Sequence, residues 1–382
     1  MKNRKALKFI LCAALGCSAA VPARGGAGRS GGEFLRIIQS PRVVAMGEAG
    51  AGLYGDLLGA AAMNPAALAR TGYREAAFSY NSWLEGISLQ QAAYAHPLGG
   101  NKGVLGGSVS MLSMPSIAGF DNSGASAGRV EAGDIAVAFN YAVRLKGPWR
   151  DRRLGLFAGG ALKYAREKLD TVSAGAVMGD SGLLWVLNAP RGIVGVGLSA
   201  QSLGAGFKFD SVTDKAPAVI RGGASYIMLA AGDPLTFALD LKKPNDSPSA
   251  VSCGAEYLLR RVVAIRAGYI SGSDLGSGLR FGGGVTIKTL QFDYALSSYG
   301  KFGAAHRFSL AYKFGKPADV TPHLSPAQEK AVWKTERANL MMREARYYEA
   351  VLELNDALTL DPGNIQALEL MRKASSMVEV SK

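Results

Sequence analysis

The chain has few of the residues that carry catalytic or metal chemistry. Of its three cysteines, Cys12 and Cys17 fall near the start, leaving Cys253 alone in the rest of the 382 residues. A lone thiol makes neither an intrachain disulfide nor a zinc site. Histidine is as scarce, with only His96, His306 and His323, two of them at predicted strand ends. No His/Cys/carboxylate spacing fits a metal centre. There is no nucleophile elbow, and the run Gly282-Gly-Gly284 lacks the strand-to-helix setting of a phosphate loop. Asp121-Asn122-Ser123 and Ser273-Asp274 have calcium-ligand chemistry, yet polar loops routinely carry such groups. These absences lead us to expect a non-enzymatic protein with no metal and no cofactor.

Charge is sparse as well, at 19% of residues against roughly 25% in soluble domains. Past the first twenty residues no uniformly apolar run reaches the ~20 residues of a membrane helix. A formal charge of +13 raises nucleic acid as a partner, but no Lys/Arg cluster with interleaved aromatics accompanies it. The positive residues sit in predicted turns, such as Arg150, Arg152, Arg153, Arg260 and Arg261. That distribution suits anionic lipid headgroups better than nucleic acid.

What is present begins with a leader. Lys2, Arg4, Lys5 and Lys8 precede the apolar run Phe9–Gly16, and Val21-Pro22-Ala23 supplies a small-residue cleavage site. Residues 1–23 therefore read as a signal peptide. Cleavage as a lipoprotein at Cys17 is the alternative, with Leu15 one position out of place. Residues 24–33, rich in Gly, Arg and Ser, read as a flexible lead-in.

Between Ala76 and Phe314 the sequence alternates with period two. In the last predicted strand, Phe308, Leu310, Tyr312 and Phe314 share one face, and Arg307, Ser309, Ala311 and Lys313 the other. Successive strand residues point to opposite sides, so this ribbon has one apolar and one polar face. Ile135–Leu145, Leu235–Leu241 and Leu290–Leu296 repeat the pattern. We read fourteen strands, near 76–84, 87–96, 103–113, 133–145, 153–166, 176–188, 192–201, 217–229, 234–242, 250–259, 262–271, 278–287, 289–299 and 306–314. Their lengths cluster near the ~9–11 residues that a tilted strand needs to cross a bilayer.

Loop length alternates too. Pro115–Ala132, Glu167–Gly175, Gly204–Ala216, Pro244–Ser249 and Ser271–Ser277 are predicted as long connections. Asn188–Gly192, Ala230–Asp233, Arg260-Arg261 and Lys288-Thr289 are short. Transmembrane barrels show this parity, with short turns on the periplasmic side. The predicted class is all-β: a closed antiparallel transmembrane β-barrel of about fourteen strands over 73–316, with outer-membrane lipid as its surroundings. A soluble secreted β protein with a helical interaction tail is the competing architecture. Arg144, Arg166, Arg221, Arg266 and Arg280 lie within predicted strands and would be costly in lipid, by roughly 2–4 kcal/mol each near the midplane. They are expected to face the lumen or an interface, with Asp56, Asp240 and Asp293 as partners.

Ahead of the barrel, residues 34–72 lack alternation and are rich in small side chains. Asn64-Pro65 is a helix-start signal with Pro at the first helical position. Small side chains allow close packing in a confined space, and we expect this segment to plug the lumen as a hatch. Behind the barrel, after a linker at 317–324, residues 325–382 predict helices at Ala327–Met342, Tyr347–Leu360 and Ile365–Met377. Ala338, Ala350, Ala357 and Pro362 follow the small-residue spacing of a tetratricopeptide repeat. One such repeat is fewer than a solenoid needs, so the tail is expected in the periplasm, as a helical hairpin that packs on the barrel mouth or dimerises or, the reading we favour, docked to a periplasmic or secretion-system protein.

The front motif resembles a known family. Arg42, Met46 and Gly47, then Asp56, Asn64, Pro65 and Ala66, followed by Phe78-Ser79-Tyr80-Asn81-Ser82-Trp83, are similar to the start of PorV/PorQ-type outer-membrane proteins, relatives of the FadL transporters. The likeness implies a barrel of about fourteen strands with an N-terminal plug. It also implies assistance to type IX protein secretion or cell-surface attachment, or alternatively a FadL-like channel with a hydrophobic ligand in the lumen.

Overall fold

Fourteen antiparallel strands close on themselves in the computed structural model, which describes residues 30–318, apart from 101, 148–150, 152 and 273–275, and residues 326–380. The leader, Arg150, Arg152, Ser273-Asp274 and His323 lie outside the described residues. The wall begins with β1 (Arg74–Ser82), β2 (Ser88–Pro97) and β3 (Val104–Ser113). It continues with β6 (Ala132–Lys146), β7 (Gly155–Leu169), β8 (Val172–Ala189) and β9 (Gly192–Gly204). β12 (Val219–Ala230), β13 (Asp233–Pro244), β14 (Ala250–Leu259) and β15 (Val263–Ile270) follow. β16 (Leu279–Ile287), β17 (Leu290–Ser298) and β18 (Ala304–Phe314) complete it. The numbering gaps are two small hairpins in the loops, β4 (Ile117–Phe120) with β5 (Ser126–Val130), and β10 (Phe207–Phe209) with β11 (Val212–Asp214).

Each strand pairs with its neighbour along the chain, and β1 pairs with β18 from Arg74↔Phe314 to Ser82↔His306. Closure removes the sheet edge, so every wall strand is hydrogen-bonded on both sides. The alternation decides which side chains meet which solvent. On β18, Phe308, Leu310 and Tyr312 are exposed on the outside while Arg307 is 1% exposed inside. On β6, Ile135, Val137, Phe139 and Tyr141 face out, and Ala136, Asn140 and Ala142 are buried in the lumen. The outward rows cover one another nowhere: they form a continuous apolar belt around a single-walled barrel, the surface a bilayer requires. That overturns the soluble-sandwich alternative. Aromatics mark one rim of the belt, where Phe314 stacks with Tyr312 and Tyr94 at centroid distances of 5.5 and 6.3 Å. Cys253 is on this outer surface.

Loop length sorts broadly as the sequence implies. The turns at 190–191, 231–232, 260–262 and 288–289 share one mouth, and the loops at 114–131, 205–218, 245–249 and 271–278 share the other. One expected long loop is corrected. Between Glu167 and Gly175 the chain makes only a two-residue turn, because Asp170 takes φ 53° and β7 and β8 pair out to Leu169↔Val172. β6, β7 and β8 are 15, 15 and 18 residues long and rise past the belt at the long-loop mouth. Asp121 ties the tip of the β4–β5 hairpin, accepting from the backbone N–H of Ser123 and Ala125 and from the Ser123 hydroxyl at 2.9, 2.9 and 2.6 Å. Its carboxylate is thus engaged in turn geometry, and no acidic or histidine cluster suited to a metal occurs among the described residues.

The tail folds as α3 (Pro326–Arg343), α4 (Tyr347–Leu360) and α5 (Ile365–Val380), packed on Ala331, Ala338, Ala350, Leu354, Ala357, Ala367 and Ala374. It lies at the short-turn mouth. Arg261 in the 260–262 turn pairs with Glu329, and Asn188 Nδ2 donates to Glu336 Oε1 at 3.2 Å.

Candidate functional site: the plugged lumen

Residues 30–72 thread the barrel from mouth to mouth. At the long-loop end Ser30 bridges to Lys215 and donates to Asp246 at 2.6 Å, the Gly32 N–H donates to Glu167 at 2.8 Å, and Arg36 pairs with Asp246 at 2.8 Å. At the other end the Gly72 carbonyl accepts from Ala318 N–H at 2.9 Å. In between stand α1 (Pro41–Ala45), α2 (Leu57–Ala62) and a 3-10 turn over Pro65–Arg70. Each begins with an extended residue, Ser40, Asp56 or Asn64, and the side chains of Ser40 and Asn64 accept from backbone N–H groups of the turn that follows. These are N-cap residue types doing what their short oxygens allow.

The structure brings the motif residues together inside the barrel. Arg42 reaches across to β14, donating to both oxygens of Glu256 at 2.9 and 2.7 Å and to the Tyr54 carbonyl at 2.9 Å. Glu256 is shared: Arg266 donates to it at 2.6 Å and to Asp293 at 2.6 Å. The result is an Arg–Glu–Arg–Asp chain bolting plug to wall, in which each charge is compensated at contact distance. Met46 is fully buried. Gly47 has φ 70°, and a Cβ there would meet the Cys253 carbonyl and the Tyr269 backbone at 2.5 Å. The wall yields in turn, since the paired glycines Gly254 and Gly268 lie directly against the Met46–Gly47 backbone. Asp56 accepts from the Ser40 hydroxyl.

Asn64 uses every polar atom of its side chain. Its amide donates to the Ala51 carbonyl at 2.8 Å and to the Leu183 carbonyl of β8 at 3.0 Å, and its Oδ1 accepts from Ala66 N–H at 3.1 Å. Pro65 and Ala66 are buried, and their backbone packs against Gly159 of β7. Further ties run from Ser199 to the Met63 carbonyl, Ser225 to the Gly52 carbonyl and Asp240 to the N–H groups of Gly50 and Ala51, all at 2.7–2.8 Å.

Of the strand arginines expected inside, Arg266 pairs with Asp293 as anticipated, and Arg221 and Arg280 are buried in the lumen. Arg144 instead donates to the Leu154 and Asp151 carbonyls, and Arg166 is exposed and donates to Ser173. Both lie near strand ends. Glu256, Glu48 and Lys242 were not singled out by sequence; for Glu256 and Lys242 the one signal available was their place on the inward face of an alternating strand. The four tail positions do not join this site. Ala338, Ala350 and Ala357 are buried between the helices, and Pro362 sits in the turn after α4.

A pocket of about 10 Å³ lies between Leu57, Ala60 and Leu68 of the plug and Ala93 and Gly106 of β2 and β3. That is space for about one water. It also touches Tyr94 and Gly107, whose positions face the membrane. The β2–β3 ladder beside it is unbroken from Ser88↔Ser113 to Pro97↔Val104.

No protein-family model matches the chain, and no curated protein matches it in sequence. Solved structures do. The toluene transporter TbuX of Ralstonia pickettii is 14% identical with a TM-score of 0.50, over 73% of this chain and 99% of that one. The deltaS2S3 mutant of the TodX monoaromatic hydrocarbon channel is 12% identical with a TM-score of 0.51, over 72% of this chain and 99% of that one. The fold is therefore that of the FadL-like outer-membrane barrels.

Proposed function

We propose that the protein is an outer-membrane channel for hydrophobic small molecules, with residues 34–72 as its hatch. The carrying observation is a lumen filled by a small-residue segment that packs on the wall through separate apolar clusters, around Leu57 and Leu68 and around Val43 and Val44, and is fixed between them by discrete hydrogen bonds and ion pairs. Such a plug can shift as a unit once those ties exchange partners. The likeness to a toluene transporter and a monoaromatic hydrocarbon channel supports this reading over assistance to secretion. On this reading the short-turn mouth and the tail face the periplasm. The test is uptake of labelled toluene by cells expressing the protein, against cells with the empty vector. Faster uptake is expected, and faster still in Glu256→Ala; equal rates in all three would overturn the assignment.

A second reading concerns the tail, where Tyr348 and Leu352 stand 68% and 53% exposed one turn apart on α4. An apolar pair left open on a helix held at the periplasmic mouth supports docking of a periplasmic protein. Pull-down with Tyr348→Ser/Leu352→Ser against the parent chain tests it, and equal recovery would count against it.

A further inference from the structure

We propose that the C-terminal tail is an autoinhibitory strap: seated across the short-turn mouth, α3 holds the hatch in place and keeps flow through the lumen low. α3 has two working faces. Glu329, Glu336 and Arg343 recur every seven residues, so they lie in one row along the helix. Ala331, Thr335 and Ala338 are buried on the opposite side, where α4 and α5 pack. The first row faces the barrel. Glu329 pairs with Arg261 in the turn between β14 and β15, and Glu336 accepts from Asn188 beside the turn between β8 and β9. Glu336 is also within electrostatic reach of Asp151 and Arg153, in the turn between β6 and β7. From the first of these turns to the last, the wall runs through β14, β13, β12, β9, β8 and β7, six of its fourteen strands. Rim points nearly half a circumference apart share one straight helix only if it crosses the opening as a chord.

What lies beneath the chord is the end of the hatch. Leu154, in the β6–β7 turn, packs into the same apolar cluster as Leu57, Leu58 and Leu68 of the plug. Arg70, the last residue of the plug's 3-10 turn, stacks its guanidinium on Tyr54 and Phe157 at 4.8 and 5.6 Å. Two residues on, the Gly72 carbonyl accepts from Ala318 N–H, at the head of the linker into the tail. The turn that carries Asp151 and Leu154 thus faces α3 on one side and the hatch on the other. A hatch shifting toward this mouth meets α3 first, so the inference rests on the channel reading and adds a regulator to it.

The seat is built to release. The Arg261 and Glu329 side chains are 23% and 37% exposed, and water and salt weaken a pair so placed. Among the described residues, the apolar cluster that holds the tail consists of tail side chains alone, so α3 can leave the rim with the helical unit intact. Lys334 joins α3 to Glu353 and Asp356 of α4 at 3.2 and 2.7 Å. A periplasmic protein that grips Tyr348 and Leu352 of α4 therefore draws α3 away with it.

The test uses the full-length chain with the strap unlatched by charge. Asn188→Asp sets a carboxylate against Glu336, and Glu329→Arg sets a cation against Arg261. Cleavage of the linker at 317–324 by proteinase K reads the seat, and ion conductance in planar bilayers and labelled toluene uptake by expressing cells read its consequence. The double variant should be cleaved at least five-fold faster than the parent, with conductance and uptake at least three-fold higher. Adding Arg261→Glu re-forms the pair with its signs exchanged and should bring all three readouts at least halfway back. Faster cleavage with conductance unchanged would overturn the strap, and so would cleavage no faster than the parent's. Glu329→Arg alone, on a solvent-facing helix position, decides if Asn188→Asp prevents folding. Should toluene uptake stay at the empty-vector level in every chain while conductance follows the seat, the hydrocarbon-channel reading fails and the strap stands.

Discussion

Asn64 holds three backbone groups from two parts of the molecule, so replacing it is a test of how firmly the hatch is seated. Asn64→Ala leaves the buried carbonyls of Ala51 and Leu183 and the N–H of Ala66 without their partner, at about 1–3 kcal/mol for each group that stays unsatisfied. Planar-bilayer recordings should show higher or more frequent conductance for this variant, with unchanged heat-modifiable gel mobility because the wall ladder is intact. Glu256→Ala is predicted to be harsher, since it strands the buried Arg42 and leaves Arg266 with Asp293 alone. Breaking one buried pair costs roughly 3–5 kcal/mol, and a lowered urea midpoint would register it. At this scale the sequence was informative about local chemistry and silent about distance. Asn64-Pro65 announced a helix start from adjacent residues. Nothing in the chain linked Arg42 to Glu256, 214 positions away, because charge pairing across a barrel depends on strand register.

The strands were legible because lipid imposes one rule on every outward side chain. All fourteen predicted wall strands correspond to observed ones, and the apolar residues of β18 face outward as their alternation requires. The errors lie where that rule lapses. Beyond the belt β7 and β8 meet water on their outer face, alternation no longer marks strand from loop, and the hairpin at Asp170 was read as a loop. The rule also predicts the effect of breaking it. Leu162 in mid-β7 is 64% exposed on the lipid face, and Leu162→Arg should cost about 2–4 kcal/mol of folding free energy if it lies near the midplane. Refolding into lipid vesicles, followed by gel mobility against urea, measures this. Cys253 on β14 supplies a second check on the same belt. In vesicles it should react with N-phenylmaleimide and resist a membrane-impermeant charged thiol reagent.

The tail's seat on the barrel is a property of the whole molecule, and it carries a pH signature. Burial against the mouth, reinforced by Asp151, pushes the Glu336 carboxyl above the ordinary glutamate value, while Arg343 and Arg153 oppose the rise. An acid whose affinity for protons is higher when docked favours docking as pH falls. Docking should therefore tighten as pH drops through the range just above the ordinary glutamate value and weaken as pH rises past it. Limited proteolysis of the linker across pH 5 to 8 reads this directly, and Glu336→Gln should flatten the profile. That the tail would be helical was plain from its composition. That it touches the barrel through Asn188 and Arg261 was not, since neither turn carries a signal beyond being short and polar.

The route of residues 30–72 has an implication for assembly. A segment joined to a ring at one rim reaches the other either as the ring closes around it or by threading its front end through the closed ring. Either way Ser30 crosses the full depth of the wall to reach Lys215 and Asp246 at the far rim. A bulky folded tag fused ahead of Ser30 should therefore keep the front segment from seating in the lumen, read as higher conductance in planar bilayers, where the same tag behind Val380 does not.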